Sequence, residues 1–365
     1  MTTVVVGGAL ANKPASGGEA WVRMSWIRGL QRLGLDVWFV EEASSTSGLD
    51  YFTEVTRRFG LADRATLLVD GVVVAGPSPF DVADAATLVN ISGSVVSPAL
   101  FDRYRRRVFV DLDPGFTQVW HAQRLAGSRV AGHDLYFTIA ENIGRPGCSL
   151  PLAGVEWSTV RQPVILDDWP VMPRPAAFRF TTVTNWRPPF GPPSFDGRTF
   201  GLKVHEFRKV IDLPRRVRSP LELALAIHPG DDRDKTALLE HGWRLVDPAV
   251  AASPDGFRDY VQGSGAEFSV AQGIYVDMDT GWFSDRTARY LASGRPALVQ
   301  ETGFSQNLPA GRGLVPFRTL DAAAAGAADI EQRWDEHSAA AREIAEAHFA
   351  SEVVLARFCS QIGLR

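Results

Sequence analysis

The stretch that decides the fold is GWFSDRTARYLASGRPALVQETGF, Gly281 to Phe304. Ser284 followed by Asp285 reads as a helix start, because a short polar side chain there satisfies a free backbone N–H. An amphipathic helix follows and stops at Ser293-Gly294. PALVQE is then an apolar run of strand length, closed by Thr302-Gly303. Helix, turn, strand, turn is one step of a parallel α/β sheet. Ligands of such sheets gather at the carboxyl ends of the strands. The helix mouth and the Thr-Gly turn are therefore expected to face one crevice.

Outward from this stretch the same unit repeats. Val4-Val5-Val6, closed by Gly7-Gly8, reads as a first buried strand. In AWVRMSWIRGLQRLG the apolar residues Val22, Trp26, Ile27, Leu30 and Leu33 keep helical spacing, and Gly34 suits the helix end. DVWFVEE is the next strand. ATLLVDG, ATLVNISG, RRVFVDLDPG and HDLYFTIAENIG read as further strands, with LDYFTEVTRRFG and SPALFDRYRR as helices. The loops after Gly8, Asn90, Asp111 and Thr138 should share one crevice. The proline-rich DDWPVMPRPAAF reads as a linker. A second α/β series opens at FRFTTVTNWR, with helices EFRKVIDLPRRV and DKTALLEHG and strands ELALAI, WRLVDP and AEFSVAQ. The tail from Asp321 onward is strongly helical. The expectation is α/β: two doubly wound Rossmann-like domains facing across a cleft, residues 1–168 and 178–345, joined by 169–177.

The chain has 365 residues, 45% hydrophobic and 22% charged, an ordinary globular composition that suits two domains. A net charge of −4 with no like-charge block argues against a nucleic-acid partner. Cys148 and Cys359 form no CxxC pair, so they read as reduced thiols of a cytoplasmic protein. The histidines show no metal-ligand spacing. MTTVVVGGAL is too short in apolar residues for a signal peptide. No apolar run reaches transmembrane length, which leaves only peripheral membrane contact open.

Several phrases carry a family resemblance. GWFSDRTARYLASGRPALVQETGF, continued by LPAGRGLVPFRTLDAAAAG and HSAAAREIAEAHF, resembles the nucleotide-sugar half of a GT-B glycosyltransferase. The group is broadly similar to CgeB-like and family-4-like enzymes. SGGEAWVRMSWIRGLQRLGLDVWFVE resembles their first loop, helix and strand. LDPGFTQ, FTIAENIGRPGC and TNWR with GLKVHEF look like the same bacterial subgroup. The resemblance covers most of the chain. It implies an acceptor domain first, a nucleotide-sugar domain second, and a last helix (about 346–365) returning to the first domain. It also implies that no metal and no cofactor is needed, the nucleotide diphosphate-sugar being a co-substrate.

The resemblance assigns roles. Arg187, Lys203, Ser284 and Arg286 would hold the diphosphate, the last two at a helix mouth whose N–H groups favour anions. Thr302 and Gly303 would lie under the sugar and phosphates, with Glu301 on sugar hydroxyls. Glu267 and Phe268 fall at the base-binding loop, and Gly17 and Gly18 in the loop that closes over the phosphates. Many retaining relatives carry two glutamates eight positions apart. Alignment on Gly294 puts Gly281 and Arg289 at those places, with Asp285 as a substitute one turn earlier. That departure favours inversion, which needs a base for the acceptor hydroxyl. Asp113 and Glu141 are the candidates, and His121 reads as a helix-surface residue. On the residues alone, Ser284 and Asp285 equally suit plain caps, Asp113 a turn, Glu141 a loop-ordering group and Glu267 an exposed carboxylate.

The expected activity is sugar transfer to a hydroxyl of a small-molecule or carrier-bound acceptor, in natural-product or cell-surface glycan synthesis. The high alanine, arginine and valine content suits a GC-rich actinobacterial source. Rival readings are a noncatalytic nucleotide-sugar-binding protein and a GT-B sugar-nucleotide epimerase. A NAD-dependent oxidoreductase is disfavoured because GGALANKPASGG lacks the dinucleotide glycine spacing.

Overall fold

The computed structural model describes residues 2–364. The chain divides into two compact units. The first takes the chain up to Ile139, Pro151–Ile165 and the residues from Ala350 on. The second takes Ala140–Leu150 and Leu166–Phe349.

The first unit is built on an eight-stranded sheet. Its strands are β1 (Thr3–Gly7), β2 (Asp36–Ala43), β3 (Ala65–Val69), β4 (Val72–Ala75), β5 (Thr87–Ile91), β6 (Arg106–Asp111), β7 (Leu135–Thr138) and β8 (Trp157–Thr159). The order is β4-β3-β2-β1-β5-β6-β7-β8. Only β3 and β4 pair antiparallel, through Asp70-Gly71, both at positive φ as a tight hairpin turn requires. Val4 and Val6 enter the core on one face and Val5 the core on the other. A sheet covered on both faces explains the uninterrupted valines. The strand order reverses about β1 and β5, which makes their carboxyl ends the switch point.

The final helix, Ser351–Gln361, packs in this unit on the first helix, Gly17–Arg32. A Cβ at Gly29 would overlap Leu355, so glycine permits the close approach. Trp26 and Phe358 meet edge to face at 5.0 Å. The return of the last helix to the first unit is thus sealed by aromatic packing.

The second unit holds a six-stranded parallel sheet and a two-stranded hairpin. Its strands are β9 (Phe180–Asn185), β10 (Ser194–Phe195), β11 (Arg198–Thr199), β12 (Leu221–Ala226), β13 (Arg244–Val246), β14 (Ala266–Ser269), β15 (Ala297–Gln300) and β16 (Leu314–Phe317). The order β13-β12-β9-β14-β15-β16 is the doubly wound arrangement with its switch between β9 and β14. The proline-rich stretch begins inside this unit: Trp169 is fully buried, with its ring 6.1 Å from that of Phe257. The helices Leu320–Gln332 and Trp334–His348 complete the unit. Among the described residues, no helix is long and apolar enough to cross a membrane.

Candidate functional site

One cavity of the second unit opens at the carboxyl ends of its strands, to one side of the switch between β9 and β14. It measures about 760 Å³ and lies at the ends of β9, β12 and β13. Asn185, Ala226 and Val246 mark the three strand ends, and Arg187, Lys235, His228 and Asp247 add charged and polar wall. Two of these groups are fixed by their own turns. His228 accepts the Gly230 N–H at 3.0 Å, and the Asp247 carboxylate accepts the Ala249 N–H at 2.8 Å. Arg187 is paired: its Nε donates to Asp231 at 2.9 Å and its Nη2 to Asp234 at 3.4 Å. Lys203 opens the helix Lys203–Lys209 at the next position along the sheet. Its Nζ donates to the Thr184 hydroxyl at 2.8 Å and its backbone N–H to Gln272 at 2.7 Å. Two cations, Arg187 and Lys203, thus stand about the carboxyl end of β9, with Lys235 across the cavity wall.

The helix mouth and the Thr-Gly turn do meet. Gly281 N–H donates to the Thr302 carbonyl at 2.7 Å, and the Thr302 hydroxyl donates to the Trp282 carbonyl at 2.6 Å. Ser284 takes the N-cap position of the helix Asp285–Ala292 without a side-chain capping bond. The space enclosed by Ser269, Ser284, Thr287 and Gln300 is only about 10 Å³. That holds no more than about one water. The helix mouth therefore encloses no ligand-sized space, unlike the β9-β12-β13 cavity.

Two residues expected at the ligand face each other instead. Glu267 is fully buried on β14, and its Oε1 accepts from Arg286 Nε at 2.7 Å. Arg286 also donates to the Val183 carbonyl at 2.9 Å and the Ser269 hydroxyl at 2.7 Å. Burial raises the Glu267 pKa, while Arg286 and the Thr287 hydroxyl pull it back down. The pair locks the helix mouth onto β9 and β14. Phe268 lies in the core, stacked on Phe317 at 5.5 Å. Asp285 accepts from Arg289 at 3.0 Å, so its charge is offset within its own helix.

Glu301 turns back on its loop, accepting the Gly303 N–H at 2.7 Å. Gly303 has φ +92, and a Cβ there would collide with Asn142 and sit 2.6 Å from Asp279 Oδ1. Asn142 ties the crossing together: its Nδ2 donates to the Asp279 carbonyl at 3.0 Å and the Gly303 carbonyl at 3.1 Å. Glu141 is its chain neighbour, and so belongs to the second unit's Ala140–Leu150 segment rather than to the first unit.

In the first unit, Gly17 and Gly18 are the first residues of the long helix after β1. The loop before them is held by Glu41, which is fully buried and accepts the N–H groups of Leu10, Ala11 and Asn12 at 2.7, 2.8 and 2.7 Å. Asp113 is exposed just beyond β6. Its turn rests on buried Asp111, which accepts from Asp113 N–H, Thr117, Gln118 and Thr138 at 2.7–2.9 Å. Burial raises the Asp111 pKa against those four bonds. His121 lies on the helix Phe116–Ala122 and lines a second cavity.

No protein-family model and no curated protein matches the sequence. Solved structures resemble it over its whole length. An alpha-glucosyltransferase in complex with UDP and a 13-mer DNA containing an HMU base gives a TM-score of 0.67 at 10% identity, over 100% of this chain and 99% of that one. HepE from Anabaena, in complex with UDP and glucose, gives 0.60 at 9% identity, over 100% of both chains. Sucrose-phosphate synthase from Thermosynechococcus elongatus gives 0.59 at 11% identity, over 99% and 98%. These are GT-B glycosyltransferases, and the fold of this chain is GT-B. At such identities the likeness carries the fold, and the chemistry has to come from the residues.

Proposed function

We propose that the protein is a glycosyltransferase. It moves a sugar from a nucleotide diphosphate-sugar to a hydroxyl of a small-molecule or carrier-bound acceptor, as the CgeB-like and family-4-like enzymes it resembles would. The observation that carries this reading is the cavity of about 760 Å³ at the carboxyl ends of β9, β12 and β13, on a sheet of GT-B topology. Its size is that of a small-molecule site. The nucleoside lies there, and the diphosphate runs past Arg187 toward Lys203 and the switch between β9 and β14. The mouth of the helix Asp285–Ala292 faces the same end and adds N–H donors. As the glycosidic bond breaks, the leaving diphosphate gains charge, and these fixed donors stabilise it. Neither a metal nor a cofactor is assigned a role. UDP in the solved structures of this fold supports a nucleoside diphosphate as the donor half. The net charge of −4 and the absence of a basic block favour an acceptor other than nucleic acid, and a cytoplasmic enzyme of natural-product or cell-surface glycan synthesis fits the composition.

Asp113 takes the proton of the acceptor hydroxyl. The oxygen attacks the anomeric carbon, the bond to the diphosphate breaks, and the nucleoside diphosphate leaves with the electron pair. Inversion follows because Arg289 stands where the retaining relatives carry a glutamate and Asp285 is neutralised by it. Glu141 is the weaker base candidate, since it sits on the unit that carries the donor cavity. Asp113→Asn should lower release of nucleoside diphosphate by about 10²–10⁴-fold and leave nucleotide binding unchanged. Wild-type turnover in that variant would remove Asp113 from the mechanism. The Asp285–Arg289 pair also favours a second reading, a nucleotide-sugar binder without turnover. Saturable donor binding with no release of nucleoside diphosphate in the wild type is its signature.

A further inference from the structure

We infer that the first unit carries an anion pocket that selects acceptors with a carboxylate or phosphate on an apolar body. This inference rests on the glycosyl-transfer reading for the word acceptor, but not for the pocket itself. The cavity measures about 480 Å³. Its apolar wall is Val96, Phe101 and Leu125, and its polar wall is His121, Arg124 and Arg129. Among the described residues, no carboxylate lines it. Val96 and Leu125 remain 51% and 48% exposed, so an apolar lip stands open beside two guanidinium groups.

Backbone turns place the two arginines on this rim. Arg124 (φ +57) follows the helix end, where the Leu125 N–H closes on the Trp120 carbonyl at 2.9 Å, and Arg129 (φ +51) closes the short turn after it. One bond of Arg129 goes to the Gly93 carbonyl, at 3.4 Å, and it fixes the arginine against the loop after β5. The opposite wall is rigid as well: Glu42 accepts the N–H groups of Val96 and Ser97 at 2.7 and 3.0 Å. His133 has both ring nitrogens engaged, with Val130 and Asn90, each at 3.0 Å, and burial holds its pKa down. It is scaffold, which leaves His121 and the two arginines to meet the ligand.

Position fixes the acceptor's shape. The helix Phe116–Ala122 starts just after Asp113 and ends at this cavity. Seven helical residues span roughly 10 Å at 1.5 Å each. An acceptor with its anion on Arg124 and Arg129 would present a hydroxyl to Asp113 from its other end. It is therefore elongated and amphipathic, whether free in solution or borne on a lipid.

The test is calorimetric titration of the full chain with phenyl phosphate, and separately with UDP. Phenyl phosphate should bind the wild type with or without UDP. Arg124→Gln with Arg129→Gln should weaken it at least about tenfold, and so should Val96→Asp, which puts a carboxylate on an exposed lip. UDP affinity should stay unchanged in both variants, showing that they fold. Equal binding of benzyl alcohol would overturn the anion claim, and equal binding of inorganic phosphate the apolar one. Flotation with phosphatidic acid vesicles that is lost in Val96→Asp would support the pocket and name a lipid source. No binding of phenyl phosphate by a protein that binds UDP would overturn the pocket alone. The reverse result would overturn the donor site and leave the pocket standing.

Discussion

Arg286→Met is expected to destabilise the second unit by about 3–5 kcal/mol, the range for breaking one side of a buried ion pair. The guanidinium lies between the sheet and the helix mouth, bonded to Glu267, the Val183 carbonyl and Ser269. Its removal leaves the fully buried Glu267 carboxylate without its counter-charge. Burial already raises that carboxyl above its usual 4.5, and the loss of Arg286 raises it further. A carboxyl whose folded pKa is raised binds its proton more tightly in the folded state. The deficit should therefore be smallest at acid pH and grow as the pH rises above the ordinary glutamate range. Denaturant unfolding at two pH values reads both parts. Adding Glu267→Gln should restore part of the loss, because a neutral amide needs no counter-charge. A loss under about 1 kcal/mol at neutral pH would mean the pair is solvated.

Lys203→Ala carries the second large effect. It should weaken UDP binding by roughly 1.5–3 kcal/mol, the range for a hydrogen bond to a charged group. Arg187→Ala should do less, about 1 kcal/mol or under, because Asp231 and Asp234 already offset its charge. For Asp234, burial raises the pKa, but bonds from Trp186 and Arg208 carry it below the usual carboxylate value. It stays ionised through neutral pH and keeps Arg187 paired there. Titration calorimetry with UDP checks both variants. Equal losses would mean that Arg187 leaves its carboxylates when the nucleotide arrives.

Much of the fold was legible because its signals are local. Ser284 stands at the N-cap position, Gly294 stops the helix at φ +66, and the valines of β1 alternate between two cores. What depends on non-local pairing was not. Glu267 reads as an exposed carboxylate until β14 is placed between β9 and β15, which buries it. Arg286 reads as a phosphate ligand until that same pairing sets Glu267 under it. Pro316 argues locally against a strand at LVPF, and β16 tolerates it as the edge of the sheet. The proline-rich stretch reads as a linker, but the burial of Trp169 and the bonds of Met172 N–H to the Ser293 carbonyl at 3.1 Å and of Arg295 to the Pro173 carbonyl at 2.9 Å tie it to the second unit. The helix Pro254–Gln262 does have a local start signal in Ser253-Pro254, with the Ser253 hydroxyl accepting the Gly256 N–H at 3.0 Å. His228 and Lys235 follow β12 and Asp247 follows β13, the next strand in the chain, but only the pairing of β12 with β9 brings them to one cavity with Arg187.

The central claim is that the cavity at the carboxyl end of the second sheet takes a nucleoside diphosphate beside Lys203. The most direct measurement is thermal unfolding of the wild type and of Lys203→Ala with UDP, GDP, TDP, ADP and CDP, alone and as their sugars. The account predicts that one nucleotide stabilises the wild type, by about 2.7 kcal/mol at 100 times its dissociation constant, and stabilises Lys203→Ala clearly less. No shift with any nucleotide, or an equal shift in both proteins, would contradict it.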